Sequence, residues 1–183
     1  DGWDFKQYVL GLLFYRYISE NLSQYINTIQ HQAGDSAFDY ADLDDEKAER
    51  IREDMVNTKG FFILPSELFR NVRKRAAQDE NLNMTLESVF KNIESSAEGT
   101  DSEASFKGLF DDLDVNSNKL GATVNNRNDK LVRLLNGIDE MELGNYQDNS
   151  IDAFGDAYEY LMGMYASNAG KSGGEYFTPQ EVS

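Results

Sequence analysis

Apolar residues recur at intervals of three and four along most of the chain, which is the spacing of one face of an α-helix. The longest stretch of this kind runs from Trp3 to about Ile29 and predicts a first helix that is central and largely buried. Its main apolar positions are Phe5, Val9, Leu12, Ile18, Leu22, Tyr25, Ile26 and Ile29.

The middle of the chain predicts shorter elements separated by polar stretches. An acidic loop over residues 34–48 leads into a helix near 44–58, which Gly60 ends because glycine readily adopts the left-handed conformation of a helix end. The aromatic segment 61–64 predicts at most a short extended piece or small hairpin. A new helix then begins, with Ser66 as its expected N-cap.

Four further segments carry helical spacing in the second half of the chain. A helix near 84–96 and a turn of helix at 103–110 come first. The segment 118–139 has an apolar stripe on one side of a helix, although a polar run interrupts it: Leu120, Val124, Leu131, Leu134, Leu135 and Ile138. A last helix is expected from Ile151 to about Ala169.

The overall expectation is an all-α fold, an irregular multi-helix domain. The chain contains two prolines and little β-branched alternation, so long helices are favoured. Its 183 residues, 40% of them hydrophobic, suffice for one sizeable core or two small ones that share an interface.

The charge of the chain restricts its partners. Acidic residues number 33 against 17 basic ones, a formal net charge of −16. The aromatic content of 12% is too high for a disordered acidic tail, so the charge is expected on a folded surface. Such a surface repels phosphate backbones unless basic residues are gathered on one face or supplied by a partner.

Two basic clusters stand out against this acidity and are candidates for contact with DNA phosphates. The first is Arg70, Arg73, Lys74 and Arg75, and the second is Arg127, Lys130 and Arg133 at helical spacing. The alternative is that these cations pair with neighbouring carboxylates on a solvated face. Under the first interpretation these cations would position a phosphate backbone, without base readout.

Other kinds of site find little support. The chain has no cysteine, which excludes disulfides and thiolate metal sites and fits a reducing, cytoplasmic compartment. No apolar run approaches the roughly 20 residues that span a bilayer. The single histidine, His31, has no catalytic partner pattern and is expected to be an exposed residue at a helix end.

The last ten residues predict the entrance to another fold. Residues 175–177 are strand-like, and the run Thr178-Pro179-Gln180-Glu181 forms a capping box with proline at the first helical position. One helical turn is too short to be stable by itself. The natural protein is therefore expected to continue.

This ending also carries a family resemblance. The run Gly173-Gly174-Glu175-Tyr176-Phe177-Thr178-Pro179 is similar to the Gly-Glu-Phe-Phe/Tyr-Thr-Pro signature of modification (M) subunits of type I restriction-modification DNA methyltransferases. Residues 156–161 resemble the helix that precedes the signature in that family. Residues 10–19 look like its first long helix, and residues 60–65 look like its aromatic-proline turn.

The resemblance implies a domain division and a cofactor. Residues 1–169 would be the helical N-terminal domain, and residues 170–183 would be a linker and the start of a missing α/β methyltransferase domain. Phe177, Thr178 and Pro179 would lie near S-adenosyl-L-methionine, although Thr178 can equally serve only as a helix cap. The chain has no Asn/Asp-Pro-Pro-Phe/Tyr tetrapeptide, so this part alone is not expected to catalyse adenine methylation.

The resemblance also implies partners. These would be double-stranded DNA, a specificity (S) subunit, a second M subunit and a restriction (R) subunit, with no membrane. The whole protein would methylate adenine at N6 in a bipartite target. Exposed aromatic side chains would suit subunit contacts, although core packing is the default for each candidate: Trp3, Phe61, Phe62 and Phe69.

A different class of function remains open from the residues themselves. An acidic, all-helical interaction protein that mimics the charge of DNA would also show high negative charge and many aromatic residues. Such a protein has no reason to end in a capping box that opens an unfinished helix.

Overall fold

A computed structural model describes residues 2–111 and 113–141, and this part of the chain is helical, which confirms the all-α expectation. Loops and short 3₁₀ turns join the helices. Their bounds are α1 Gly2–Gln32, α2 Asp45–Ala48, α3 Arg52–Lys59, α4 Phe69–Arg75, α5 Leu82–Ser96, α6 Glu103–Asp111 and α7 Val124–Glu140. No β-strand lies in the described residues, and 61–64 is an irregular segment that ends in extended backbone at Leu64.

Helix α1 forms the centre of the core, as its periodicity predicts. Val9, Leu12 and Leu22 are fully buried, and Tyr15 is among the largest side chains that are completely enclosed. The prediction that Ile29 packs inward is wrong, because this residue is 43% exposed. The last turns of α1 carry several exposed residues, so this end of the helix does not pack in the core.

Aromatic rings from separate elements meet around α1. The ring of Tyr15 makes edge contacts with Phe69 and Phe90, with centroids 5.5 and 5.4 Å apart. Phe61 and Phe62 are buried as well. Phe61, Phe62 and Phe69 therefore pack in the core, the default expected for them, while the side chain of Trp3 lies outside the described residues.

Helix α1 supplies the N-terminal cap of α4. The N–H of Phe69, the first residue of α4, donates to the Ser19 hydroxyl at 3.1 Å, and Ser19 is buried. The prediction of Ser66 as the cap is wrong, because Pro65–Glu67 form a separate 3₁₀ turn and α4 begins only at Phe69. The Ser66 hydroxyl instead donates to the Asp45 carboxylate at 2.5 Å.

One turn earlier on α1, an arginine caps the C-terminus of α7. Arg16 donates from Nη1 to the carbonyl oxygens of Ile138 and Met141, each at 2.7 Å. These carbonyls lie at the C-terminus of α7, whose last turn contains no basic residue. The guanidinium therefore places a positive charge at this helix end, where it interacts favourably with the helix dipole.

The helix predicted near 44–58 is divided in the structure. A 3₁₀ turn at Glu49–Ile51 separates α2 from α3, and each half is tied to the segment 61–66. Asp45 of α2 accepts from Ser66, and the Arg52 guanidinium of α3 lies 4.7 Å from the ring centroid of Phe62. The predicted end is confirmed, since Gly60 has φ of 90° directly after Lys59.

Helix α7 begins later than the segment 118–139 predicts. Thr123 caps it by accepting the N–H of Asn126 at 3.1 Å, so the helix starts at Val124, which is 47% exposed rather than packed. The polar run does not interrupt the helix. Asn128 is buried within it and accepts the N–H of Asn83 from α5 at 3.0 Å.

Predictions for α5 and α6 are confirmed to within a few residues by Leu82–Ser96 and Glu103–Asp111. Across the described ranges, no helix is long and apolar enough to cross a membrane. The predicted helix at 151–169 and the predicted capping box at 178–181 lie outside the described residues.

Candidate nucleic-acid interface

Three cations of the first basic cluster share one face of α4. Arg70, Arg73 and Lys74 stand at positions i, i+3 and i+4, which are neighbours on a helix surface. They line a groove between α4 and α1 that has a volume of about 740 Å³. This cleft is called the α1–α4 groove below.

The opposite wall of the α1–α4 groove is a polar stripe along the second half of α1. Its members follow the three- and four-residue spacing of a single helix face. They are Ser19, Glu20, Ser23, Gln24, Asn27, Thr28 and His31. Because Ser19 accepts the N–H of Phe69, this wall is fastened directly to the start of α4. Hydroxyl and amide groups thus face a row of cations across one groove.

Asp39 holds the first of these cations. Its Oδ2 accepts from Nη1 of Arg70 at 3.0 Å, while its Oδ1 accepts from the N–H of Ala41 at 3.1 Å and the amide of Asn27 at 3.4 Å. Burial raises the pKa of the Asp39 carboxyl, but the hydrogen bonds from Arg70, Ala41 and Asn27 outweigh it, so this pKa lies below its ordinary value. Asp39 is therefore ionised at neutral pH.

The second cation reaches the end of α7. The Nε of Arg73 lies 3.4 Å from Oδ1 of Asp139, and its Nη1 lies 3.5 Å from the side-chain oxygen of Asn136. The contact with Asn136 is at the long limit of a hydrogen bond. The buried Nε has no hydrogen-bond partner, so Arg73 and Asp139 form an ion pair without a hydrogen bond. The third cation, Lys74, is exposed beside them.

His31 lies at the outer end of the polar stripe, and the expectation that it is an exposed residue at a helix end is confirmed. Its Nε2 is 2.8 Å from the carbonyl oxygen of Phe38, next to Asp39. The loop after α1 is thus folded back onto the groove.

The other predicted cations lie outside the α1–α4 groove. Arg75 donates to the carbonyl oxygens of Ser66 at 2.7 Å and Asn71 at 3.2 Å, so its guanidinium serves the local backbone. Arg127 approaches the carbonyl of Asn116 at 3.4 Å. The remaining members of the second cluster lie on α7: Lys130, which is half-buried, and Arg133, which is exposed.

Two of the predicted DNA contacts, Arg70 and Arg73, therefore have a neighbouring carboxylate, as the alternative interpretation expected. Sequence reasoning missed the polar stripe of α1, although its spacing is visible in the sequence. It also missed Asp39 and Asp139, because only packing brings them to α4.

Several side chains of the groove are of the kinds that donate to anions. Arginine and lysine donate to phosphate oxygens, and hydroxyl and amide side chains add neutral hydrogen bonds of the kind made to DNA backbones. In the described residues no group of carboxylates and histidine could hold a metal ion. The positions expected near the methyl donor, Phe177 to Pro179, lie outside the described residues.

Comparisons with known proteins cover the whole chain. Residues 1–138 match the family model described as HsdM N-terminal domain, and residues 149–183 match the model described as N-6 DNA Methylase. A curated relative, the type I restriction enzyme MpnII methylase subunit of Mycoplasma pneumoniae, is 52% identical over 190 residues, which cover 100% of this chain and 35% of the relative.

The fold is similar to a solved structure. The type I restriction-modification system methyltransferase subunit from Streptococcus thermophilus matches with a TM-score of 0.64 and 26% identity, over 93% of this chain and 36% of that chain. The chain thus spans about a third of the length of the proteins it matches.

Proposed function

The chain belongs to the HsdM N-terminal domain family of type I methylase M subunits, and we propose that it is the DNA-clamping and subunit-contacting part of such a subunit. The whole protein would transfer a methyl group to N6 of adenine in a bipartite DNA target, together with a specificity subunit. The relative from Mycoplasma is named as a methylase subunit, and this supports the proposal.

The observation that carries the proposal is the α1–α4 groove. Its three cations balance the three carboxylates that line it, so the groove is locally neutral in a chain whose net charge is −16. The groove is therefore a place where this acidic surface can accept a phosphate backbone, and the hydroxyls and amides of α1 suit phosphate and sugar contacts. Base recognition is left to the specificity subunit.

The seven predicted contacts divide into two roles. Arg70, Arg73 and Lys74 would contact the backbone inside the groove. Arg127, Lys130 and Arg133 on α7 would meet the duplex elsewhere or pair with a partner subunit. Arg75 is the weakest candidate, because two backbone carbonyls already occupy its guanidinium.

The proposed division of the whole protein keeps residues 1–169 as the helical domain and residues 170–183 as the linker and start of the methyltransferase domain. S-adenosyl-L-methionine is the proposed methyl donor. Phe177, Thr178 and Pro179 would lie beside it, because the N-terminus of a helix can bind the methionine carboxylate of this cofactor.

The proposed partners are double-stranded DNA, the S subunit, a second M subunit and the R subunit, in the cytoplasm. The alternative, an acidic protein that mimics DNA, rests on the charge alone. The similarity of the chain to methylase subunits favours the clamping role instead.

The proposal is tested by fluorescence anisotropy with the whole M subunit in complex with its S subunit and a labelled DNA duplex. Lys74→Ala is expected to weaken binding about two- to fivefold and to reduce the slope of log affinity against log salt by about 0.9. Lys47→Ala is the matched control, because Lys47 is also exposed but lies on α2, outside the groove. Equal effects of the two variants would rule out the groove as the DNA contact.

A further inference from the structure

The geometry points to Asp39 and Asp139 as carboxylate latches, which hold Arg70 and Arg73 while the α1–α4 groove is empty and which a DNA phosphate must displace. This inference rests on the proposed function, because it concerns how the same groove is controlled.

Both latches reach α4 from other elements. Asp39 lies in the loop after α1 and is 3.0 Å from Arg70, and Asp139 lies in the last turn of α7 and is 3.4 Å from Arg73. Both carboxylates line the groove. A phosphate that enters the groove therefore meets two cations that already have carboxylate partners. Arg70 is hydrogen-bonded to Asp39, and Arg73 forms an ion pair with Asp139 in which its buried Nε has no hydrogen-bond partner.

Charge within the groove supports this control. Its lining residues include three cations, Arg70, Arg73 and Lys74, and three carboxylates, Glu20, Asp39 and Asp139. The charges +3 and −3 sum to zero, so the empty groove offers little net attraction to a polyanion. The arginines become available only after the carboxylates are displaced. The groove should therefore bind DNA that the rest of the complex already holds more readily than unrelated nucleic acid.

The two latches differ in mobility. Asp39 is anchored by the N–H of Ala41 and the amide of Asn27, so Arg70 must rotate away from it. Asp139 has a more exposed side chain than Asp39, 42% against 32%, and a longer contact distance. Exposed ion pairs of this kind are weak, whereas an arginine can donate two parallel hydrogen bonds to a phosphate. Asp139 is therefore the latch that gives way first.

Release of Asp139 would also change the contacts at the C-terminal end of α7. Arg16 holds the carbonyls of Ile138 and Met141 on either side of Asp139. The same helix turn is thus bound to α1 through its backbone and to α4 through a side chain. Occupation of the groove would loosen only the second of these two attachments, so the helix end stays capped.

The test uses Asp139→Asn in the whole M subunit, assembled with its S subunit, and a labelled mixed-sequence DNA duplex. This variant is expected to bind about two- to fivefold more tightly, because the competitor for Arg73 is gone. Glu140→Gln is the matched control. It removes the same charge from the next residue of the same helix, but Glu140 is exposed and does not line the groove. A gain of the same size in both variants would overturn the latch.

A double substitution separates a latch from a general charge effect. In an Arg73→Ala background, Asp139→Asn is expected to give no further gain, since the cation it restrained is absent. Asp39→Asn should behave in the same way towards Arg70, and asparagine can keep the capping role of Asp39 at the N–H of Ala41. A gain that persists without Arg73 contradicts the inference.

The outcomes also distinguish the latch from the proposed function. If Lys74→Ala weakens DNA binding while Asp139→Asn gives no gain, the groove contacts DNA but the latch is wrong. If neither variant changes DNA binding, the proposed contact itself fails.

Discussion

Arg16 and Ile138 are 122 positions apart in the sequence, and a hydrogen bond of 2.7 Å joins the guanidinium Nη1 of the first to the carbonyl oxygen of the second. The same nitrogen donates to Met141 at the same distance, and the Arg16 side chain is 11% exposed. One partly buried cation from α1 thus supplies hydrogen-bond donors to two carbonyl groups at the end of α7. Helix α7, the last helix of the described residues, is thus fixed to α1.

We expect Arg16→Ala to destabilise the helical domain by about 2 to 4 kcal/mol. The substitution removes two charge-assisted hydrogen bonds and leaves two carbonyl groups without this partner at a helix end that has no basic residue of its own. Urea unfolding followed by circular dichroism measures the change in free energy.

Arg50→Ala is the control for that experiment, because Arg50 is exposed. A surface substitution of this kind should stay within about 0.5 kcal/mol of the original chain. If Arg16→Ala unfolds at the same urea concentration as Arg50→Ala, the cap contributes nothing to stability.

Alkaline pH should destabilise the domain through the buried phenols of Tyr15 and Tyr40. Tyr15 donates to the carbonyl oxygen of Glu67, and Tyr40 donates to that of Ile63 at 2.7 Å. Burial raises the pKa of both phenols above the ordinary value, and the nearby carboxylates Glu67 and Asp45 raise the pKa of Tyr15 and Tyr40 respectively.

The sign of the pH effect follows from these raised pKa values. An unfolded tyrosine ionises near pH ~10, whereas the folded phenols keep their protons to higher pH. Their contribution to stability is therefore complete below about pH 10 and is lost as the pH rises further, at up to about 1.4 kcal/mol per pH unit for each phenol. Tyrosines with ordinary pKa values ionise first, and a further rise in phenolate absorbance should accompany the loss of helical circular dichroism.

Tyr40→Phe tests this assignment. It should cost about 1 to 2 kcal/mol at neutral pH, because the carbonyl of Ile63 loses a buried donor. It should also make the alkaline fall in stability shallower, since one of the two phenols is gone. An alkaline slope that does not change in this variant would show that Tyr40 is not one of the groups responsible.

Gly11→Ala should destabilise the domain by about 1 kcal/mol, although alanine favours a helix. A Cβ at this position of α1 would lie 2.5 Å from Cδ1 and 2.7 Å from Cγ of Leu113, which is buried. Overpacking of about 1 to 3 kcal/mol then exceeds the gain in helix propensity of about 1 kcal/mol. Thermal unfolding of the two chains gives the difference.

A second background distinguishes this close contact from other effects of the substitution. In a Leu113→Ala chain the obstructing side chain is absent, so Gly11→Ala should become neutral or stabilising. Destabilisation of the same size in both backgrounds would mean that the contact with Leu113 is not the cause.

Local patterns predicted most of the helices correctly. The apolar stripes gave α1, α5 and α6 their approximate bounds, and Gly60 marked the end of α3, because these features depend on helix geometry within one segment. The errors arose where a distant group competes with the local signal. Ser66 has the right chemistry for a cap, but Asp45 takes its hydroxyl and Ser19 caps α4 instead.

The sequence by itself determined the all-helical fold, the family and the row of cations on α4, because each is encoded in residue types at short, fixed spacing. Only the tertiary structure decided that Arg70, Arg73 and Lys74 face the polar stripe of α1 while Arg75 turns away to backbone carbonyls. It also decided that carboxylates from two other elements meet these cations. Side-chain partners across tens of residues depend on how helices pack, and no short-range spacing in the chain specifies that packing.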